Sequence, residues 1–297
     1  MNAMNRDGLL NISLLEGQAR AMLIESTQLV ERARQIHALS RIATAALGRT
    51  LSATVMMASV LKGERESLSV TIKGGGPIGS IVAVGHPDGS VKGYCDDPGI
   101  DLPRTGKKLP VGAAVGTAGK LTVVKDLGLR EPYVGQVNLV SGEIAEDFAM
   151  YFTASEQVNS LVSLGVLVGD QVESAGGLII QMMPGASEAA IQSVEMSANM
   201  FFDISGTMKD LHLHGAMRDL LGHLQPEVLS EITPAFRCNC SRNRIEKVLV
   251  TLGQEELESM IEEQHGAQVD CHFCNKRYEF SESDLKTLLA YALGEVK

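Results

Sequence analysis

Four of the five cysteines in this 297-residue chain lie within a stretch of 37 residues near its C-terminal end. They form two close pairs, Cys238-Asn-Cys240 and Cys271-His-Phe-Cys274, with thirty residues between the pairs. Two such pairs, with enough chain between them to fold back, are typical of a Zn²⁺ ion bound tetrahedrally by four thiolates. The spacing therefore predicts a metal site with these four cysteines as ligands and one zinc ion per chain in the reduced protein.

Residues 235–297 are predicted to form a small zinc-binding domain around the two pairs. Apolar spacing favours two short helices between the pairs, a hairpin over 269–280, and a last helix after the capping sequence that starts at Ser281. A domain of this size has few large apolar side chains, so metal binding, worth about 10–16 kcal/mol, would decide whether it folds. Removal of the metal is therefore expected to unfold it.

The first 183 residues favour an α+β domain with substantial antiparallel sheet. Short runs of strand-forming residues, such as 68–73, 80–85 and 90–95, are separated by tight-turn sequences. A helix is predicted from Ser40 to Lys62, because small and apolar residues follow a serine N-cap. Its most apolar part, LSATVMMASVL, is too short to span a bilayer and is interpreted as a buried helix.

The strand pattern ends near Met183, and residues 184–234 are interpreted as a helical linker. Six of the thirteen methionines fall between Met182 and Met217. Methionine is flexible and polarizable, so a surface rich in it adapts to varied partners, although these residues also suit a helical layer packed on the first domain. The predicted fold is α+β, with an N-terminal domain of antiparallel sheet and helices (1–183), a helical metastable linker (184–234) and a small four-cysteine zinc domain (235–297).

The charge and composition exclude several classes of partner. The formal net charge is −10, and residues 235–297 carry eight Lys or Arg against eleven Asp or Glu, so no nucleic-acid partner is expected. The N-terminus lacks the charged-then-apolar layout of a signal peptide, and no apolar stretch is long enough to span a bilayer. We therefore expect a cytoplasmic protein without a membrane partner, whose thiols are kept reduced.

Three other groups of side chains are considered as sites and set aside. His212 and His214 alternate, but no carboxylate or cysteine partners are recognised nearby, so they are interpreted as exposed linker histidines. His272 lies inside the second cysteine pair, where four cysteines already complete a tetrahedral shell. Cys95 stands beside two aspartates, whose charges disfavour a thiolate, and it is expected to be a passive thiol.

The chemistry of the clustered cysteines leaves two roles open, an inert structural staple or an oxidisable switch, because metal-bound thiolates react with oxidants. Two further functions compete with a switch. A thiol–disulfide oxidoreductase would use Cys271 and Cys274, although the βαβ pattern of a thioredoxin-like site is missing around them. An interaction module with a purely structural zinc would keep its metal under peroxide.

The sequences around the cysteines, FRCNCSRNR and VDCHFCNKRYEF, resemble the C-terminal zinc domain of the heat-shock protein 33 family. The members of this family are bacterial redox-regulated chaperones. Blocks such as IKGGGPIGSIVA, GTAGKLTVVKDLGLREPYVGQV and AGGLIIQMMPG are similar to successive parts of the N-terminal domain of that family. The resemblance therefore extends over essentially the whole chain.

The resemblance implies a holdase chaperone and not an enzyme. Cys238, Cys240, Cys271 and Cys274 would hold zinc in a largely inactive reduced form. Oxidative stress would form the disulfides Cys238–Cys240 and Cys271–Cys274 and release the metal. The zinc domain and the metastable segment before it would then unfold, and the protein would hold unfolding client proteins without ATP. A homodimer is expected after oxidation.

Overall fold

The computed structural model describes residues 7–103, 106 and 108–293 of the chain. It contains two compact units, one that ends at Arg237 and one that begins at Cys238. In the first unit the helices and strands are, in chain order, β1 (Gly8–Leu14), β2 (Ala19–Glu25), α1 (Thr27–His37), α2 (Arg41–Ala58), β3 (Ser67–Lys73), β4 (Ser80–Gly85), β5 (Ser90–Cys95), α3 (Val111–Val115), β6 (Lys120–Asp126), β7 (Tyr133–Asn138), α4 (Ala145–Tyr151), β8 (Ser160–Val168), β9 (Val172–Met182), α5 (Glu188–Ser197), α6 (Ile204–Leu221), β10 (Glu227–Ile232) and β11 (Ala235–Phe236).

The strands of the first unit form two sheets. One has five strands in the order β10-β1-β2-β9-β8, and its neighbouring strands are antiparallel. The other has six strands in the order β11-β5-β4-β3-β6-β7, in which the short β11 runs parallel to β5 and the other pairs are antiparallel. The predicted α+β fold with substantial antiparallel sheet is confirmed.

Helix α2 is buried on almost every side and contacts strands of both sheets. At its start the hydroxyl of Ser40 accepts a hydrogen bond from a first-turn backbone N–H at 3.1 Å, which confirms the predicted N-cap. The helix ends at Ala58, short of the predicted Lys62. The Ser59 hydroxyl donates a hydrogen bond to the carbonyl of Met56 at 2.8 Å. It takes the place of the backbone N–H that would bond to this carbonyl if the helix continued for another turn. Within the described ranges, no helix combines the length and apolarity needed to cross a bilayer.

The segment predicted as a helical linker, 184–234, contains helices α5 and α6 but also the strand β10, which pairs with β1. Sequence analysis missed this strand because nearly all of it is exposed, with Leu229 at 63%. It therefore lacks the alternation of apolar and polar residues that predicts a half-buried strand. The segment adds an edge strand to the five-stranded sheet, while α6 packs on β2, β8 and β9.

Helix α6 is kinked at His212, whose backbone has φ 55° and ψ 179°. The carboxylate of the buried Glu25 lies at this kink and accepts a hydrogen bond from the backbone N–H of Leu213 at 3.0 Å, while its other oxygen lies 3.1 Å from His212 Nδ1. His214 Nε2 lies 3.3 Å from a carboxylate oxygen of Glu231. Both histidines are exposed, as predicted, but the interpretation that they lack carboxylate partners is wrong. One partner comes from a strand distant in sequence and the other from a strand that was not recognised.

The second unit contains α7 (Arg242–Thr251), α8 (Gln254–Glu262), β12 (Gly266–Asp270), β13 (Arg277–Ser281) and α9 (Glu282–Ala292). The predicted helices and hairpin are confirmed. The predicted capping sequence before α9 is confirmed as well. The Ser281 hydroxyl accepts a hydrogen bond from the backbone N–H of Asp284 at 3.2 Å, and the Asp284 carboxylate accepts one from the backbone N–H of Ser281 at 2.8 Å. Among the described residues of the unit, the buried core comprises Leu249, Leu257, Ile261, Tyr278, Phe280 and Leu285, with partly buried side chains such as Ile245, Met260 and Leu289 packed against it. A core this small contributes little stability by itself.

Candidate metal centre

The two cysteine pairs lie in two loops of the second unit. Cys238 and Cys240 precede α7 in a stretch without regular structure, and Cys271 and Cys274 lie in the turn between β12 and β13. In this turn the N–H groups of Cys274 and Asn275 both donate to the carbonyl of Cys271, at 3.2 and 2.8 Å. Asn275 has a positive φ of 55°, which asparagine tolerates better than most residues, so the local sequence favours the turn.

The structure brings the four predicted cysteines together. Their Sγ atoms all lie within 4.8 Å of one another, with contacts of 3.7 Å between Cys238 and Cys271 and 3.4 Å between Cys240 and Cys274. Four sulfurs placed about 2.3 Å from a central Zn²⁺ in a regular tetrahedron would lie about 3.8 Å apart. The spacing therefore fits a metal ion with four thiolate ligands. His272 is exposed and lies outside this group.

Three of the clustered thiols, those of Cys238, Cys240 and Cys274, differ in their tendency to ionise. Burial raises the pKa of Cys238, and burial together with the neighbouring thiols raises the pKa of Cys274 to about 12. Burial opposes ionisation of Cys240 as well, but hydrogen bonds from Tyr278 and the other cysteines outweigh it and lower the pKa to about 7. Four thiolates this close repel one another, so the fully ionised cluster needs a bound cation.

Sequence analysis missed one side chain that reaches the cluster, Tyr278 on β13. Its hydroxyl donates to Cys240 Sγ at 3.1 Å, and the residue is 6% exposed. This hydrogen bond raises the pKa of Tyr278 to about 12, so the hydroxyl remains a donor at neutral pH. Strand alternation predicts that Tyr278 and Phe280 share one face, and a buried tyrosine hydroxyl needs a partner, but neither signal identifies that partner as a sulfur.

The fifth cysteine, Cys95, lies at the end of β5 in the first unit and is 7% exposed. Burial, and then the charges of Asp97 and Asp96, raise the pKa of its thiol to about 12. The thiolate is the reactive form of cysteine, so this environment suppresses its reactions. The position agrees with the prediction of a passive thiol.

After removal of the metal by a chelator, the second unit is expected to unfold and to lose the burial that raises the pKa of Cys274, so iodoacetamide at about pH 8 should label the four clustered cysteines and leave Cys95, in the folded first unit, unlabelled. A pKa of about 12 leaves on the order of a thousandfold less thiolate than an ordinary thiol has. Peptide mass mapping checks this, and the same labelling in urea, where all five cysteines should react, is the control. Labelling of Cys95 at the rate of the others in native buffer would contradict the prediction.

Comparison with known proteins identifies close relatives of the chain. The sequence matches the family described as "Hsp33 protein" over residues 7–281. It is 44% identical over 288 residues to the 33 kDa chaperonin of Bacillus cytotoxicus and 45% identical over 287 residues to that of Clostridioides difficile, with 96% of this chain and 99% of the relative covered in each case. The crystal structure of the 33 kDa chaperonin of Thermotoga maritima, a heat shock protein 33 homologue, superposes with a TM-score of 0.88. That superposition covers 97% of this chain and 99% of the other at 34% sequence identity.

These similarities extend over nearly the whole chain and agree with both its α+β fold and its C-terminal cysteine cluster. The resemblance to the heat-shock protein 33 family is confirmed. The relatives are named as chaperonins, so the role of the protein is that of a chaperone. The chain therefore belongs to the Hsp33 family, which is a family of chaperones and not of enzymes.

Proposed function

We propose that this protein is a redox-regulated, ATP-independent holdase of the cytoplasm, which binds unfolding proteins under oxidative stress. The observation that carries the proposal is the group of four cysteine sulfurs within 4.8 Å of one another, in a unit with a small hydrophobic core. Metal bound by these sulfurs stabilises the fold, and oxidation of the sulfurs removes the ligands, so oxidation and unfolding are coupled. Membership of a chaperone family supports the binding of unfolded proteins as the outcome.

The metal is proposed to be one Zn²⁺ ion per chain in the reduced form. Four thiolates are a usual ligand set of structural zinc, and zinc has no redox chemistry of its own. Oxidants therefore react with the sulfurs and not with the ion. Since Cys238, Cys240, Cys271 and Cys274 complete a tetrahedral shell, no position is left for a substrate, which is typical of a structural site.

Oxidation is proposed to form one disulfide within each pair, Cys238–Cys240 and Cys271–Cys274. In each pair one thiolate attacks a peroxide oxygen, becomes a sulfenic acid and expels hydroxide; the second thiolate then displaces another hydroxide from that sulfur. Formation of each disulfide thus transfers two electrons from its two sulfurs to one molecule of hydrogen peroxide. The two hydroxides take up protons and become water. Two peroxides convert the four thiolates into two disulfides, and Zn²⁺ is released with its charge unchanged.

The arrangement of the sulfurs supports a link between this oxidation and unfolding. Contacts of 3.7 and 3.4 Å connect sulfurs of different pairs, Cys238 with Cys271 and Cys240 with Cys274. A disulfide within each pair breaks these contacts between the two loops, and it also withdraws the ligands of the metal. With both losses, the small core must hold the unit together alone, which we expect it not to do.

Client proteins are proposed to bind the segment 184–234 after it unfolds. In the folded protein this segment already combines exposed and buried apolar side chains: Phe202 and Met196 are 84% and 83% exposed, whereas Met208 is fully buried. Methionine side chains adapt to irregular surfaces, which suits clients without a common sequence. Unfolding of the segment would add its buried apolar residues to this surface, and we propose that the oxidised protein is a homodimer.

Light scattering from a chemically unfolded client tests the proposal. The client is diluted without ATP into buffer that contains either reduced, zinc-loaded protein or peroxide-oxidised protein. We expect only the oxidised form to suppress aggregation, together with release of one zinc per chain and disulfides within each pair by mass mapping. The Cys95→Ser variant should behave like the wild type. Equal suppression by both forms would make the metal a structural staple, and turnover in an insulin-reduction assay would favour an oxidoreductase.

A further inference from the structure

The hydroxyl of Tyr278 is held against one sulfur of the metal cluster. It donates to Cys240 Sγ at 3.1 Å, and the residue forms part of the hydrophobic core of the second unit. Val269 lies opposite Tyr278 on β12, and the Lys276 ammonium lies 5.0 Å from the ring centre. Because only 6% of Tyr278 is exposed, water does not replace Cys240 as the hydrogen-bond partner of the hydroxyl unless the ring leaves the core.

We propose that Tyr278 is a positioning residue for the oxidation of the cluster: its hydrogen bond to Cys240 Sγ retains this sulfur on the metal and slows its reaction with oxidants. The inference rests on the proposed function, since it assigns to Tyr278 a share in setting the oxidant concentration at which the protein switches. The direction of the hydrogen bond is determined by chemistry, because a metal-bound thiolate has no proton to donate.

The hydrogen bond acts on the reactivity of the sulfur and not on its degree of ionisation. When all four cysteines are thiolates on a metal, the ionised fraction is the same for each, and intrinsic nucleophilicity decides which sulfur attacks the oxidant. A donor removes electron density from the sulfur and so lowers this nucleophilicity. Hydrogen bonds to metal ligands also orient them, and their loss weakens metal binding. Both effects delay oxidation at Cys240.

The variant Tyr278→Phe removes the hydroxyl and keeps the ring in the core. In competition with a chromophoric chelator, we expect the zinc affinity of the full-length variant to fall by about 10–100-fold. Loss of the hydrogen bond also raises the basicity of the Cys240 sulfur. For a rise of about 10–100-fold, a Brønsted coefficient of about 0.5 gives roughly 3–10-fold faster zinc release under limiting peroxide. The matched control is Tyr291→Phe on α9 of the same unit, where the side chain is 59% exposed and both quantities should stay at wild-type values.

Two further readouts separate this role from a loss of packing. Cys238 and Cys240 are two residues apart, so their alkylation by substoichiometric iodoacetamide, which forms no disulfide between them, can be compared within one peptide; Cys240 should gain relative to Cys238 in Tyr278→Phe. In the Co²⁺-substituted protein, the thiolate-to-cobalt charge-transfer band should move to longer wavelength, because the sulfur lone pairs rise in energy. A general loosening of the unit would accelerate both cysteines alike and would leave the band in place.

Unchanged zinc affinity, together with an unchanged ratio of Cys240 to Cys238 modification, would overturn the inference while leaving the redox switch intact. If wild-type protein retains its zinc under peroxide, the proposed function fails instead. In that case the zinc affinity and the cobalt spectrum of Tyr278→Phe, neither of which involves an oxidant, still decide whether the hydroxyl supports the metal site.

Discussion

Replacement of Cys271 by serine is expected to unfold the C-terminal unit of the reduced protein in the absence of any oxidant. A serine hydroxyl stays protonated at neutral pH and does not replace a thiolate on zinc. Zinc binding to a complete site supplies about 10–16 kcal/mol of apparent binding free energy, and loss of one ligand removes much of it. The few buried side chains of this unit, such as Leu257 and Phe280, are too small a core to compensate.

Limited proteolysis with mass mapping checks this expectation. In Cys271→Ser, cuts should appear throughout α7, α8 and α9, and circular dichroism should show the loss of these helices, whereas the zinc-loaded wild type should resist cleavage there. The matched control is Cys95→Ser, which also removes one cysteine but lies outside the cluster. Equal protease resistance of Cys271→Ser and the wild type would show that the core folds the unit without the metal.

Replacement of Glu25 by alanine is expected to lower the free energy of unfolding of the first unit by about 3 kcal/mol. Glu25 is 4% exposed, and it accepts the hydrogen bond from the backbone N–H of Leu213 at the kink in α6. Alanine leaves this buried N–H without its acceptor and removes the carboxylate beside His212. The second half of α6 should therefore loosen first, before the rest of the unit unfolds.

Urea unfolding of the reduced, zinc-loaded protein measures this loss, and proteolysis locates it within α6. The matched control is Glu173→Ala, which removes the partner of Lys209 on α6; both side chains of that pair are about half exposed, so the loss should be much smaller than that of Glu25→Ala. Glu25→Gln retains an acceptor oxygen for Leu213 and should fall between the two. A Glu25→Ala protein no less stable than Glu173→Ala would mean that packing alone maintains the kink.

The cysteine cluster and the fold class were predictable because their signals are local. Each cysteine pair lies within four residues of chain, and the thiolate is a metal ligand whatever the rest of the fold does. The same holds for the capping sequence at Ser281, whose two hydrogen bonds span three residues. Strands β3, β4 and β5 alternate between buried and less buried residues, so their pattern could be read from the sequence.

The features that sequence analysis missed depend on contacts between distant parts of the chain. Strand β10 is recognisable only through its pairing with β1, because its own side chains are mostly exposed. The kink in α6 lies against Glu25, which precedes Leu213 by 188 residues. Likewise, the contact of Tyr278 with Cys240 spans 38 residues and follows from the packing of the ring. Periodicity and residue type carry no information about such partners.

The pairing of β1 with β10 also affects how this chain is made. It joins Leu9 to Ile232, so the ribosome delivers one partner long before the other. At synthesis rates of about 5–20 residues per second, the interval is on the order of 10–40 s. During that time β1 has one edge without its strand, and unpaired strand edges promote association with other chains. The nascent chain is thus open to association at this edge of β1 until β10 has been made.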